Sequence, residues 1–106
     1  MSEWQTVAQF HDLPPGDSLL VEFAGREVAL FREGDTVSAL DDACPHAGAS
    51  LSGGTVEDGV VLCPWHYWAF RLCDGAWTGN PRIAARTYAV RVVGGEVQLR
   101  ARPGSC

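Results

Sequence analysis

The feature that most constrains the fold is a pair of short cysteine–histidine clusters in the middle of the chain. Residues 44–46 read Cys-Pro-His and residues 63–66 read Cys-Pro-Trp-His, with sixteen residues between His46 and Cys63. Each cluster supplies one thiol and one imidazole. A fold that brings the four side chains together has to hold two arms side by side, with a loop, a turn and a strand between them.

The remainder of the chain consists of short alternating segments separated by turn residues, which favours an all-β fold. The predicted strands cover residues 18–23, 27–32, 36–41, 60–63, 87–93 and 96–100. Residues 24–26 read as the turn of one hairpin, and Gly94-Gly95 is the strongest hairpin signal in the chain. No helical period with caps is apparent.

At 106 residues the chain predicts one domain, residues 1–106, with enough length to bury a core. The two clusters fall within about residues 43–81, between two groups of predicted strands. We therefore expect an antiparallel β base with an inserted cluster-binding subdomain. Residues 78–81, Thr-Gly-Asn-Pro, predict a turn that closes over the same end.

Composition excludes several classes of function. The formal net charge is -5 and the chain has no lysine, which argues against nucleic-acid binding. No segment approaches the roughly 20 apolar residues that span a bilayer. The first ten residues contain neither a basic region nor an apolar run, so no signal peptide is expected. We expect a cytoplasmic protein, in which cysteines serve more often as ligands or reactive thiols than as disulfides.

Two thiols and two imidazoles can bind a metal in two ways. Zinc takes such a set, but commonly as pairs of like ligands, whereas each arm here is mixed. A two-iron cluster accounts for the mixture, because one iron can take both thiolates and the other both imidazoles. A 2Fe–2S cluster is therefore the favoured prediction, with a zinc site as the alternative.

The pattern C-x-H followed by C-x2-H resembles the Rieske family, and the similarity extends over most of the chain. Other positions that share it are Gly48, residues 63–70, Asp74-Gly75 and residues 78–81. The resemblance implies the Rieske fold and one 2Fe–2S cluster per chain. It also implies that Cys44 and Cys63 bind the inner iron, and that His46 and His66 bind the outer iron near solvent.

The chain departs from the high-potential members of that family at four positions. Ala49 and Trp65 stand where those proteins carry an additional pair of cysteines joined by a disulfide. Trp68 and Phe70 stand where they carry hydroxyl groups that donate hydrogen bonds to cluster sulfurs. Donors to sulfur stabilise the reduced cluster, so their loss predicts a potential near about -150 mV, the low end of the Rieske range.

This resemblance implies an electron carrier rather than an enzyme. The expected function is transfer of one electron between a flavin reductase and a terminal oxygenase or other terminal oxidoreductase. The alternative is the small subunit of an assimilatory NAD(P)H nitrite reductase, and a structural zinc module is third. Tyr67 replaces the glycine usual in oxygenase components, and 106 residues leave no room for a catalytic domain with a mononuclear iron site.

Several further residues have a structural expectation. Trp68 and Phe70 are expected in the core, and Trp65 at the rim of the cluster. Cys73 is expected to be a free thiol rather than a ligand, since four ligands are already supplied. A disulfide between Cys73 and Cys106 is the alternative, which the cytoplasm disfavours. The remaining candidates are expected to be solvated at the surface: His11, Asp41, Asp42 and Asp74.

Overall fold

The computed structural model describes residues 4–44, 49–64 and 67–101, which form two antiparallel sheets. In chain order the strands are β1 (Gln5–Gln9), β2 (Ser18–Phe23), β3 (Arg26–Glu33), β4 (Thr36–Asp41), β5 (Thr55–Glu57), β6 (Val60–Leu62), β7 (Ala69–Arg71), β8 (Ala76–Trp77), β9 (Asn80–Ala84), β10 (Thr87–Val93) and β11 (Glu96–Arg100). Short 3-10 turns occupy Phe10–Asp12 and Leu51–Gly53. Within these ranges no helix is long and apolar enough to cross a bilayer. The predicted all-β class is confirmed.

The six-stranded sheet, called the base, has the strand order β1-β11-β10-β4-β3-β2. Each neighbouring pair is antiparallel. Hairpins connect β2 to β3, β3 to β4 and β10 to β11. Strand β10 joins β4, where Thr87 pairs with Leu40 and Tyr88 with Ala39. The base is therefore built from the two ends of the chain, and everything between β4 and β10 is inserted into it.

Both predicted base hairpins are confirmed, with two-residue turns. The central residues 24–25 and 94–95 have φ values between 53° and 80°. Positive φ at both positions is the type I′ geometry, whose twist matches that of the flanking strands. Phe23 pairs with Arg26, so Arg26 begins β3 and does not belong to the turn as the sequence suggested.

The five-stranded sheet, called the insertion, has the order β5-β6-β7-β8-β9. Its strands are only two to five residues long, and the sequence pattern predicts only β6 among them. The expected turn over 78–81 is half correct: residues 78–79 turn, whereas Asn80 and Pro81 begin β9. Proline is tolerated there because β9 lies at the edge of the sheet, where an N–H is not needed.

Strand β3 is buried on both faces and joins two cores. Its residues 28–31 are fully buried, and successive side chains of a strand point to opposite faces. The base core contains Leu13, Phe23, Val28, Leu30, Ala39, Tyr88, Val97 and Leu99. The insertion core contains Ala29, Phe31, Leu40, Cys44, Ala49, Leu51, Val61, Cys63, Phe70, Leu72 and Ala85. One strand therefore supplies alternate residues to each core.

Polar contacts also connect the base to the insertion. The Glu33 carboxylate, at the end of β3, accepts the backbone N–H of Gly59 through both oxygens, at 3.0 and 3.1 Å. Gly59 lies in the turn between β5 and β6. The Ser18 hydroxyl, at the start of β2, donates to the carbonyl of Ser52. The insertion is thus attached to the base on two sides.

Candidate metal centre

The first arm leaves the end of β4 and is closed at its base by backbone hydrogen bonds. The Cys44 N–H donates to the carbonyl of Ala49 at 2.8 Å, and Ala43 forms an isolated antiparallel bridge with Ser50. These contacts flank residues 45–48, which lie outside the described residues. These backbone contacts fix the position of the predicted ligand Cys44, which has only 2% of its surface exposed.

The second arm follows β6 and is closed in the same manner. The Cys63 N–H donates to the carbonyl of Trp68 at 2.8 Å, and the Cys63 carbonyl accepts the N–H of Tyr67 at 2.9 Å. Tyr67 has a φ of 58°, which few residues with a side chain adopt. Cys63 is fully buried. Each predicted cysteine ligand therefore begins a loop that returns to its own backbone within five residues.

Gly54 brings the end of the first arm against the start of the second. A Cβ atom at this position would lie 2.1 Å from the carbonyl oxygen of Leu62, and Leu62 directly precedes Cys63. Only glycine permits so close an approach between two backbones. The sequence analysis did not identify Gly54 as part of the site. The dipeptide Gly53-Gly54, between the first arm and β5, could have indicated a close approach of two backbones.

The two cysteines satisfy the chemistry required of a shared metal site. Both belong to the insertion core, and both keep their thiol groups. A thiolate in an apolar core needs a positive partner to offset its desolvation, which an iron ion supplies. A 2Fe–2S cluster fits this donor set, because one iron takes the two sulfurs.

The histidines complete the predicted set but lie outside the described residues. His46 falls within 45–48, and His66 within 65–66 together with the predicted rim residue Trp65. Among the described residues no three metal-binding side chains converge, as expected when two of four predicted ligands fall elsewhere. The assignment of all four ligands therefore remains a prediction.

Aromatic side chains pack beside the second arm. Phe70 is fully buried, as predicted. Trp68 is only partly buried, but it packs against the insertion core and stacks on Trp77, with ring centroids 3.4 Å apart and planes 2° from parallel. Neither Trp68 nor Phe70 carries a hydroxyl group. Their placement is consistent with a low-potential cluster that lacks these hydrogen-bond donors.

Asp41 is not the solvated surface carboxylate that the sequence suggested. It accepts the Tyr88 hydroxyl at 2.5 Å and forms an ion pair with Arg26 at 3.2 Å. Burial, together with the hydrogen bond to Asp41, raises the pKa of Tyr88 to about 12. Only the folded chain brings Tyr88 to this carboxylate, because the two residues are 47 positions apart.

Two other carboxylates expected at the surface also form contacts within the protein, whereas His11 is exposed. Asp42 is 5% exposed, which corrects the expectation of solvation. Asp74 accepts the N–H of Ala76 at 3.0 Å and forms an ion pair with Arg71 at 3.4 Å. His11 lies in the 3-10 turn Phe10–Asp12 with 80% of its side chain exposed, as expected.

The expectation of a free thiol at Cys73 is wrong, because Cys73 is disulfide-bonded. It lies half-buried in the turn after β7, where the Arg71 guanidinium donates to its sulfur at 3.5 Å. Cys106 lies outside the described residues. Cys73 is accordingly not available as a thiolate ligand, and the cysteine ligands predicted at the two arms are unaffected.

Known proteins share this architecture over nearly its whole length. Ferredoxin CarAc of Metapseudomonas resinovorans is 36% identical over 98 residues, covering 91% of this chain and 92% of its own. The ferredoxin of carbazole 1,9a-dioxygenase from Nocardioides aromaticivorans IC177 superposes with a TM-score of 0.86 at 31% identity, covering 95% of this chain and 100% of its own. A Mycobacterium tuberculosis protein described as an NADH-dependent nitrite reductase small subunit superposes with a TM-score of 0.85 at 35% identity, covering 91% and 92%.

Longer proteins match as well, but through one part only. Cholesterol 7-desaturase of Drosophila melanogaster is 40% identical over 80 residues, which cover 74% of this chain and 19% of the desaturase. The chain thus spans about a fifth of that relative's length.

The two buried cysteines and the ferredoxin relatives together define the class, an iron–sulfur electron carrier. The sequence model of the Rieske [2Fe-2S] domain matches residues 3–94, and the chain belongs to this family. Its cofactor is a 2Fe–2S cluster, so the zinc alternative is wrong. As a member of this family, the chain carries electrons through the cluster.

Proposed function

We propose that the chain is the ferredoxin component of an oxygenase system, which receives one electron from a flavin reductase and delivers it to a terminal oxygenase. The observation that carries the proposal is the match with ferredoxins over nearly the full length of both chains. One related ferredoxin, of carbazole 1,9a-dioxygenase, has been seen in complex with its oxygenase, and this chain superposes on that structure with a TM-score of 0.84 at 33% identity.

The ligands that we propose are Cys44 and Cys63 for one iron and His46 and His66 for the other. The burial of both cysteines in one core supports this assignment. When bound, the cluster supplies a site that gains and loses one electron. The chain's own contribution is to exclude water from the sulfurs, to hold the arms together at Gly54, and to withhold the hydroxyl donors that would raise the potential.

The exposed side chain of Tyr67 is a candidate contact for a redox partner. Its side chain is 74% exposed, and it directly follows the proposed ligand His66. A positive φ costs a non-glycine residue about 1–2 kcal/mol, and such strain is found at functional sites. Tyrosine is also enriched in protein interfaces. An exposed aromatic ring beside the outer iron is suited to contact a redox partner.

Domain organisation and location are proposals of their own. We propose one domain, residues 1–106, whose cluster-binding part covers about residues 43–81. The interruption of the base by the insertion between β4 and β10 supports this division.

We also propose a cytoplasmic location. The thiols kept by Cys44 and Cys63 support it, whereas the disulfide at Cys73 speaks against it, because disulfides are rare in that compartment. Cell fractionation tests it directly.

A second candidate is the small subunit of an NAD(P)H nitrite reductase. It is favoured by one observation, the superposition on the Mycobacterium tuberculosis subunit at 35% identity. The two candidates share the fold and the cluster and differ in the partner. A carrier dissociates between partners, whereas a subunit remains bound to the catalytic chain.

Reconstitution tests the proposed function. The chain is combined with a flavin reductase and a terminal oxygenase of a ring-hydroxylating system, and substrate-dependent consumption of NAD(P)H is measured. We expect turnover to require the wild-type chain and to be lost with Cys63→Ser, while His11→Gln, at a histidine with 80% of its side chain exposed, remains active as the control. Equal turnover without the chain would overturn the proposal. Purification as a stable complex with a nitrite reductase catalytic chain would favour the second candidate.

A further inference from the structure

A buried carboxylate lies at the foot of the first arm. Asp42 follows the last residue of β4 and precedes the proposed ligand Cys44 by two positions, and it is only 5% exposed. A carboxylate removed from water has to be paired or hydrogen-bonded to remain charged. The contacts of Asp42 show which of these the protein uses.

Both oxygens of the Asp42 carboxylate accept hydrogen bonds from residues that follow the first arm in the chain. Its Oδ2 accepts the Ser50 hydroxyl at 2.6 Å, and its Oδ1 accepts the backbone N–H of Ser52 at 2.8 Å. The Asp42 carbonyl also accepts the N–H of Leu51 at 2.7 Å. Asp42, Ser50 and Ser52, here called the clasp, therefore join the two ends of the arm that carries Cys44.

No cation offsets the charge of Asp42 within residues 4–44, 49–64 and 67–101. The ion pairs in these ranges include Arg26 and Arg86 beside Asp41, but none reaches Asp42. The charge of Asp41 is thus offset by two arginines, whereas the Asp42 carboxylate accepts hydrogen bonds from the uncharged Ser50 hydroxyl and Ser52 N–H. A charge in this position acts strongly on its surroundings, because little water screens it.

We propose that Asp42 is a positioning residue that closes the first arm and, through its charge, lowers the reduction potential of the cluster. The inference rests on the proposed ligand Cys44. Reduction adds one negative charge next to the arm, and a fixed negative charge opposes that addition. Cluster potentials respond to nearby charge and to hydrogen bonding around the sulfurs.

Asp42→Asn tests the charge while retaining the shape, since an amide oxygen still accepts the Ser52 N–H. Its potential is measured by redox titration followed by EPR. We expect the equilibrium constant for reduction to rise about threefold or more, which is roughly 28 mV at 59 mV per tenfold. Asp58→Asn is the matched control: Asp58 is exposed in the β5–β6 turn, and asparagine tolerates its φ of 51°. We expect no shift from this control.

Ser50→Ala separates electrostatics from loosening of the arm. It removes one hydrogen bond of the clasp but leaves the charge, less well compensated, so the potential should fall. A structural role alone would move both variants in the same direction, which overturns the proposal, as does an unchanged potential in Asp42→Asn. If Asp42→Asn does not assemble, Ser50→Ala decides: a fall supports the proposal, and a rise or no change overturns it. Absence of a Rieske EPR signal from the wild-type chain would instead contradict the proposed ligands.

Discussion

The base and the insertion reach stability by different routes. Strands of the base are five to eight residues long, and its core consists of apolar residues together with Tyr88. Strands of the insertion are two to five residues long, and its core contains the thiols of Cys44 and Cys63. The base has the composition of an ordinary β core, whereas the insertion includes the predicted metal ligands among its buried residues.

From this difference we infer that cofactor binding and folding are coupled in the insertion and not in the base. Because the predicted ligands Cys44 and Cys63 belong to the insertion core, metal binding at these residues contributes directly to the stability of that core. The base does not depend on the cluster in this way. Loss of the cluster should therefore loosen the insertion first.

The largest expected effect comes from Cys63→Ser. We expect complete loss of the cluster's visible absorption and EPR signal, because one iron loses a ligand. Hydrogen exchange should show loss of protection in β6 and β7, while β11 of the base remains protected. His11→Gln, at a histidine with 80% of its side chain exposed, is the control and should keep its cluster. Equal loss of protection in both sheets would contradict the separation of the two regions.

Next in size is Gly75→Ala, within the insertion. Gly75 has a φ of +74°, and an added Cβ would lie 2.1 Å from the Ala85 carbonyl oxygen. We expect a loss of at least about 3 kcal/mol in the free energy of unfolding, since strain and steric overlap combine. Gly25→Ala in the base has a similar φ of +77° but open space around it, and should cost about 1 kcal/mol. Urea denaturation measures both, and equal losses would refute the role of close backbone contacts.

An intermediate effect is expected in the base at alkaline pH. The folded protein holds the Tyr88 proton up to a pKa of about 12, whereas the unfolded chain releases it near pH 10. Between these values the folded state binds more protons, so the free energy of unfolding falls as pH rises, by up to about 2.7 kcal/mol. Tyr88→Phe should be less stable at pH 8 and should lack this fall. A fall of the same size in the variant would assign it to other groups.

The smallest effect tests the potential in the insertion. Phe70→Tyr adds a hydroxyl seven residues after Cys63, at the position where high-potential relatives have one. The new hydroxyl would donate a hydrogen bond to a charged acceptor, and we expect the free energy of that bond to differ by about 1 kcal/mol between the oxidised and reduced states. For a one-electron couple, about 1.4 kcal/mol corresponds to a shift of roughly 59 mV in the potential. We expect a rise of a few tens of millivolts by redox titration. Phe23→Tyr in the base core should leave the potential unchanged, and an equal rise there would refute a local effect.

The sequence could predict most of the base because its signals are local. Alternation over six or seven residues and turns with two positive φ values are visible without tertiary structure, and both base hairpins are confirmed. Strands of two or three residues, such as β8, are too short to show a period. These strands are defined by pairing with their neighbours, which sequence alone does not display.

The metal centre, too, contains residues that the sequence predicts and residues that it does not. Spacing and chemistry point to Cys44 and Cys63, which the structure buries in one core. The clasp could not be predicted, because the burial of Asp42 depends on Ser50 and Ser52 returning to it after a loop. The disulfide at Cys73 was missed because the expectation rested on the cellular compartment and not on geometry.

The two-sided burial of β3 has a consequence for how this chain tolerates length changes. Because side chains alternate with a period of two, deleting one residue at the start of β3 would exchange its two faces. Phe31 would then turn toward the base core, and Leu30 toward the metal-binding side. A single deletion there would mispack both halves of the molecule at once, whereas the same deletion in the exposed edge strand β9 would disturb one sheet only.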